Sequence, residues 1–215
     1  MRILLAFLLL CSLVGNAQEA PFASEIRAFT RQDSEQPPPK RPILFVGSSS
    51  FRLWQNLQQD FAGKPVLNRG FGGASIPDVV RYADETIYRY NPSRIIFYCG
   101  ENDLADSDTV SAQTVVNRFT ALFTQIRSKL PGVPLTFVSI KPSPSRVHLM
   151  PKMAAANGAI RAFLQQHPQT AFVDVFTPML NDAGRPRPEL FVSDSLHMNR
   201  QGYVLWKGLL QRQVR

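Results

Sequence analysis

Apolar residues gather in five short runs that start at residue 42. They read PILFVG (42–47), VLNRG (66–70), SRIIFYCG (93–100), PLTFVSI (134–140) and TAFVDVF (170–176). Continuous apolar runs of this length predict strands buried on both faces, as in a parallel sheet covered by helices. The intervening segments change period. Ile76, Val79, Val80, Ala83 and Ile87 recur at three- and four-residue steps and predict a helix over 76–90. Val115, Phe119, Leu122, Phe123 and Ile126 predict a second over 109–129, stopped by Leu130-Pro131-Gly132. Met153, Ala156, Ile160, Phe163 and Leu164 predict a third over 151–166. The segment 199–214 predicts a fourth, with Tyr203, Val204 and Leu210 on one face. Strands alternating with helices imply an α/β fold: a three-layer αβα sandwich, flavodoxin-like, with about five parallel strands.

The chain ahead of this pattern is different. Residues 1–17 hold one Arg, an apolar run of about a dozen residues, and then Gly15-Asn16-Ala17. This is the pattern of a cleaved secretory signal, with cleavage expected after Ala17. The apolar run is too short to span a bilayer, so no stable membrane anchor is expected. Cys11 is preceded by bulky Leu10, which argues against lipidation there. Residues 18–42 include QDSEQPPPKRP, and three consecutive prolines exclude a helix interior or a central strand. An extended lead-in is predicted, followed by one domain over 43–215. The mature chain is then secreted or periplasmic.

Removing the leader leaves Cys99 as the one remaining cysteine, so stability must come from the core. Cys99 lies in an apolar run and is expected to be a small buried residue. Loss of Arg2 lowers the formal charge from +8 to +7. The positive residues form no block and no nucleic-acid motif is present, so the charge reads as scattered surface charge, with no nucleic-acid partner.

In a doubly wound sheet, ligands bind beyond the carboxyl ends of the strands. The strands are followed in turn by Gly47-Ser48-Ser49-Ser50, by NRGFGGAS (68–75), by GENDLA (100–105), by KPSPSR (141–146) and by SDSLHMN (193–199). A hydrolytic serine needs a base, a group to orient that base, and donors for an oxyanion. Of the three histidines, His167 lies at a helix end and reads as solvent-facing, and His148 has no carboxylate near it in sequence. His197 has Asp194 three positions before it, a spacing that can bring a carboxylate to Nδ1 and leave Nε2 free. Gly73 offers a backbone N–H unobstructed by a side chain, and Asn102 offers an amide. Asn102 read alone is an N-cap or turn residue, and Asp103 is the stronger cap of the two. Three histidines without HxH or HExxH spacing argue against zinc.

In this order, on successive strand ends, these residues resemble the SGNH-hydrolase superfamily, also called GDSL esterases and lipases. The resemblance covers most of residues 43–210. Gly100-Glu101-Asn102-Asp103 and Asp194-x-x-His197 match the family blocks intact, and Gly73 matches the second block. The first block is normally Gly-Asp-Ser, and here Ser48 stands in the place of the Asp. The branch most similar is the small lidless one that includes platelet-activating-factor acetylhydrolase-like proteins.

The resemblance implies Ser49 as nucleophile, His197 as general base and Asp194 as its orienting acid. It implies an oxyanion hole formed by the N–H groups of Ser49 and Gly73 and the amide of Asn102. It implies no metal and no cofactor. The 141–146 loop is expected to wall the pocket, with Arg146 as a possible substrate contact. A compact exported chain favours short acyl esters, such as acetyl groups on glycans. The alternatives are a lysophospholipase or acyl-ester lipase, and an esterase-like domain that binds glycans or lipids without turnover. A flavodoxin-like nucleotide-binding module is opposed, since neither GxxxxGK[ST] nor GxGxxG occurs.

Overall fold

The five apolar runs form five parallel strands in a computed structural model that describes residues 19–215. The leader and Cys11 lie outside the described residues. The strands are β1 (Ile43–Gly47), β2 (Val66–Gly70), β3 (Arg94–Tyr98), β4 (Leu135–Val138) and β5 (Thr170–Val173), in the order β2-β1-β3-β4-β5. The order reverses between β1 and β3, so the crevice outside their carboxyl ends is where this architecture places ligands.

The strands feed both faces of the sheet. Leu44, Val46, Ile95, Phe97, Leu135 and Phe137 pack on one side, with α4 (Ile76–Arg81), α7 (Ala112–Lys129) and α8 (Met150–Gln165). Ile43, Phe45, Ile96, Tyr98 and Val138 pack on the other, with α2 (Ser49–Arg52), α3 (Leu57–Asp60) and α9 (Arg200–Leu210). The second side is rich in aromatic rings. Phe51 meets Phe45, Tyr98 and Trp206 with centroids 5.1, 5.9 and 6.1 Å apart. Phe51 is fully buried two residues after Ser49, so this packing sets where the β1–α2 corner sits. Truncating such a ring costs about 3–5 kcal/mol.

The sequence pattern and the structure differ in four places. The 18–42 stretch is not extended throughout: Ala23–Glu35 form helix α1. The prolines begin only after it, and Gln36, which precedes Pro37, has the extended backbone expected there. Ile26 is buried on this helix, with Phe22 and Phe29 packed beside it. Asp33 accepts from buried Arg69 and from the Tyr90 hydroxyl, which fastens α1 to the domain.

The expected helix over 76–90 is broken. It consists of α4, then α5 (Ala83–Thr86), then a 3-10 turn at Tyr88–Tyr90. The break falls at Tyr82, whose hydroxyl reaches back to the Pro21 carbonyl. The GENDLA stretch forms helix α6 (Glu101–Asp106) after Gly100, whose φ of 121° suits glycine. In α9 the buried face is Tyr203, Trp206 and Leu210, while Val204 is 51% exposed. Cys99 is buried as expected, and burial pushes its thiol pKa well up.

Candidate active site

The β1–α2 corner is forced by close packing. Gly47 has φ 136°, and a Cβ there would lie 1.9 Å from the Tyr98 carbonyl oxygen. Only glycine lets β1 pass β3 this closely and still turn. The Ser48 N–H then donates to the same Tyr98 carbonyl at 3.0 Å. Ser49 opens α2 at the switch in strand order, with 9% of its surface exposed. Gly70 at the end of β2 also lies tight against this corner, since a Cβ there would meet the Arg52 nitrogen at 2.7 Å.

His197 reaches the corner from the far end of the chain. Its Nε2 is 3.1 Å from Ser49 Oγ, and its Nδ1 is 2.6 Å from Asp194 Oδ2. The carboxylate at Nδ1 selects the tautomer protonated there, leaving Nε2 to accept from the serine. The other Asp194 oxygen accepts the Leu196 and His197 N–H groups at 2.8 and 2.9 Å. Slight burial pushes the Asp194 pKa up, and these donors and the imidazole outweigh it, bringing it to about 2. The loop turns at Ser195, which has φ 57°. Asn199 ends the loop by accepting from the Gln201 and Gly202 N–H groups as the cap of α9.

The three groups expected to bind an oxyanion lie close to the same corner. Among the described residues, neither the Ser49 nor the Gly73 N–H has a protein acceptor. Gly72, between β2 and Gly73, donates its own N–H to Glu25 of α1 at 3.0 Å. Asn102 Nδ2 donates to Ser48 Oγ at 2.9 Å and to the Ala74 carbonyl at 3.2 Å. A Cβ built on Gly73 would lie 3.9 Å from that nitrogen, so the two are neighbours. Asp103 does cap a helix, but a distant one: its carboxylate accepts the Ile76 N–H at the start of α4 and pairs with Arg118 at 2.8 Å. Burial pushes the Asp103 pKa up against these partners.

His167 stands otherwise than the sequence suggested, and Arg146 has partners that the sequence did not show. Arg146 is turned inward, with Nη1 donating to Asn102 Oδ1 at 3.0 Å and 3.4 Å from Glu101 Oε1. His167 is half-buried between rings, 4.2 Å from Phe163 and 4.9 Å from Phe123. His148 is exposed. Two cavities share Asp194 in their walls, and His197 lines the second. One of about 420 Å³ is lined by Leu104, Ser145, Arg146, His148 and Leu196. The other, of about 390 Å³, is lined by Leu53, Gln55, Asn56, Val192 and Met198. Among the described residues, no three His, Cys, Asp or Glu side chains group as a metal-holding set.

The model of the GDSL-like lipase/acylhydrolase family matches residues 43–205, from the first residue of β1 into α9. The chain belongs to this family. It is a carboxylic ester hydrolase of the SGNH type. Solved structures share the fold at low identity. A Streptococcus pneumonia protein provisionally named as platelet activating factor aligns with TM-score 0.77 and 23% identity, over 89% of this chain and 92% of that one. A GDSL-like lipase from Bacteroides thetaiotaomicron aligns with TM-score 0.74 and 16% identity, over 89% and 97%. An acetylxylan esterase from Geobacillus stearothermophilus aligns with TM-score 0.66 and 13% identity, over 82% and 95%. No curated protein matches the chain by sequence.

The family blocks were legible in the sequence, and the groups that hold them were not. Sequence alone assigns no pairing to Glu101 or Lys141, because charged residues beside strand ends usually read as solvated. One signal was available: Lys141 directly follows the apolar run LTFVSI and precedes Pro142, so it has little room to reach solvent.

Proposed function

We propose that the protein is an exported serine esterase acting on short acyl esters, acetyl groups on carbohydrates foremost. The observation that carries the mechanism is the continuous line from Ser49 Oγ through His197 to Asp194, at 3.1 and 2.6 Å. Ser49 Oγ attacks the ester carbonyl as its proton passes to His197 Nε2. Asp194 holds the ring and stabilises the imidazolium that forms. The tetrahedral oxyanion is received by the free N–H groups of Ser49 and Gly73. Asn102 joins them by exchanging its longer bond, to the Ala74 carbonyl, for one to the oxyanion. His197 then protonates the leaving alcohol, and a water activated by the same ring releases the acyl group from Ser49. Losing one oxyanion donor typically lowers kcat by about 100- to 1000-fold.

A carbohydrate leaving group is supported by the two cavities that share Asp194, one of them lined by His197. Each is partly lined by polar side chains, with Gln55 and Asn56 on one side and Ser145 and Arg146 on the other. These polar groups can hydrogen-bond a hydroxylated leaving group. The likeness in fold to an acetylxylan esterase agrees with this direction. Export is supported by the leader pattern in residues 1–17.

The test is a series of p-nitrophenyl esters of rising acyl length, followed by acetylated xylan, each with wild type and Ser49→Ala. The expected result is the highest kcat/KM on acetate, and loss of at least about 10,000-fold in Ser49→Ala. A maximum at eight or more carbons would favour the lysophospholipase or lipase reading. No hydrolysis of any ester by wild type would favour a non-catalytic binding domain.

A further inference from the structure

The loop after β4 carries charged groups that the reaction described above does not use. The Lys141 and Glu101 side chains are 1% and 6% exposed. Lys141 Nζ donates to Glu101 Oε2 at 2.8 Å and to the Leu196 carbonyl at 2.9 Å. The Tyr98 hydroxyl donates to the same Oε2 at 2.9 Å, and Ser143 Oγ donates to Oε1 at 3.2 Å. Arg146 bridges Glu101 and Asn102, as described. Ser145 gives both its N–H and its hydroxyl to the Ser195 carbonyl, each at 3.0 Å.

Taking an ammonium and a carboxylate out of water costs several kcal/mol per ion, and an apolar pair of similar volume is often at least as stabilising. Stability is therefore a weak reason for this pair. A buried polar network whose members are all satisfied does something else: it allows one arrangement and penalises its neighbours. Burial raises the Glu101 pKa, but Lys141 and Arg146 outweigh it and hold the carboxyl below its ordinary value. Burial also lowers the Lys141 pKa against the pull of Glu101.

The ends of this network are specific. Glu101 is the peptide neighbour of Asn102, and Leu196 is the peptide neighbour of His197. One loop, 141–146, thus grips both the segment bearing the oxyanion amide and the segment bearing the base. We propose that the buried Lys141–Glu101 pair, with Ser145 and Arg146, positions His197 and Asn102 relative to each other for the reaction. The proposal rests on the esterase reading given above. These are positioning residues, acting through His197 and Asn102. A misplacement of about 1 Å at a catalytic group can cost about 100-fold in rate, so the effect belongs in kcat.

The test uses the double variant Lys141→Met/Glu101→Gln, which leaves no lone buried charge, and Arg146→Met, whose side chain is 19% exposed. With p-nitrophenyl acetate, each is expected to lose about 10- to 100-fold in kcat, with KM within about twofold. Asp33→Ala breaks the other buried ion pair, on α1, and is the control. It should lower Tm and keep kcat within about twofold. The His197 Nδ1 proton should give a downfield NMR resonance in wild type that is lost in the double variant. Wild-type kcat in either test variant, or an equal kcat loss in Asp33→Ala, would overturn the proposal. If wild type hydrolyses no ester, the esterase reading fails, and the resonance still decides the positioning: its persistence in the double variant overturns it.

Discussion

Asn102 Nδ2 donates to Ser48 Oγ at 2.9 Å, which ties the end of β3 to the corner that carries Ser49. Ser48 occupies the place where the family usually has Asp, so a hydroxyl here serves as the acceptor. Ser48→Ala removes it and leaves an amide proton of Asn102 unpaired near the corner. The expected cost is about 1 kcal/mol of stability. Asn102 also loses one of the three bonds that aim it, so kcat on p-nitrophenyl acetate should fall about 10-fold. Thermal melts and steady-state kinetics on one preparation check both.

Gly73 separates fold from chemistry. A Cβ there meets nothing nearer than Asn102 Nδ2 at 3.9 Å, an ordinary contact. Gly73→Ala should therefore leave Tm within about 2 °C of wild type, since a tolerated surface change stays within about 0.5 kcal/mol. Its methyl would nevertheless stand beside the amide and N–H that receive the oxyanion. A fall in kcat of about 10-fold or more is expected, short of the full loss of a donor. Unchanged kcat would contradict the crowding expected from that methyl.

The acid side of the stability profile follows from two aspartates. Hydrogen bonding from Arg200 lowers the Asp60 pKa, with help from Trp54 and against burial, to about 2. Asp194 also stands at about 2. Both lie below the ordinary 3.8, so the unfolded chain binds these protons more readily than the folded one. Their contribution to stability is present above about pH 4 and is lost as pH falls toward 2. Asp60→Asn should lower Tm at pH 7 and converge with wild type near pH 2. A constant Tm difference across that range would contradict the assignment.

The fold was legible because each strand is apolar on both faces, which leaves few alternatives for runs such as ILFVG. Topology then places the segments after the strands at one edge, which is how Ser49, Asn102 and His197 could be read together. Helix α1 was obscured because Pro37, Pro38 and Pro39 dominate its neighbourhood, although they begin only after it ends. The sequence offered Arg146 as a substrate contact but not as a partner of Asn102 and Glu101, which lie more than 40 positions away. Pairings of that kind depend on how loops from different strands meet, which periodicity does not encode. Val204 leaves the buried face of α9 for a smaller reason: one helical step of 100° separates it from buried Tyr203.

Catalysis rests on Ser49 as the nucleophile that His197 activates. The direct measurement is labelling with an active-site phosphonate, followed by peptide mapping by mass spectrometry, in wild type and His197→Ala. The expected result is one adduct on Ser49 in wild type, loss of hydrolysis in step with labelling, and labelling slowed by at least about 1000-fold in His197→Ala. An adduct on Ser48 or Ser50, or labelling of Ser49 at the wild-type rate without His197, would contradict it.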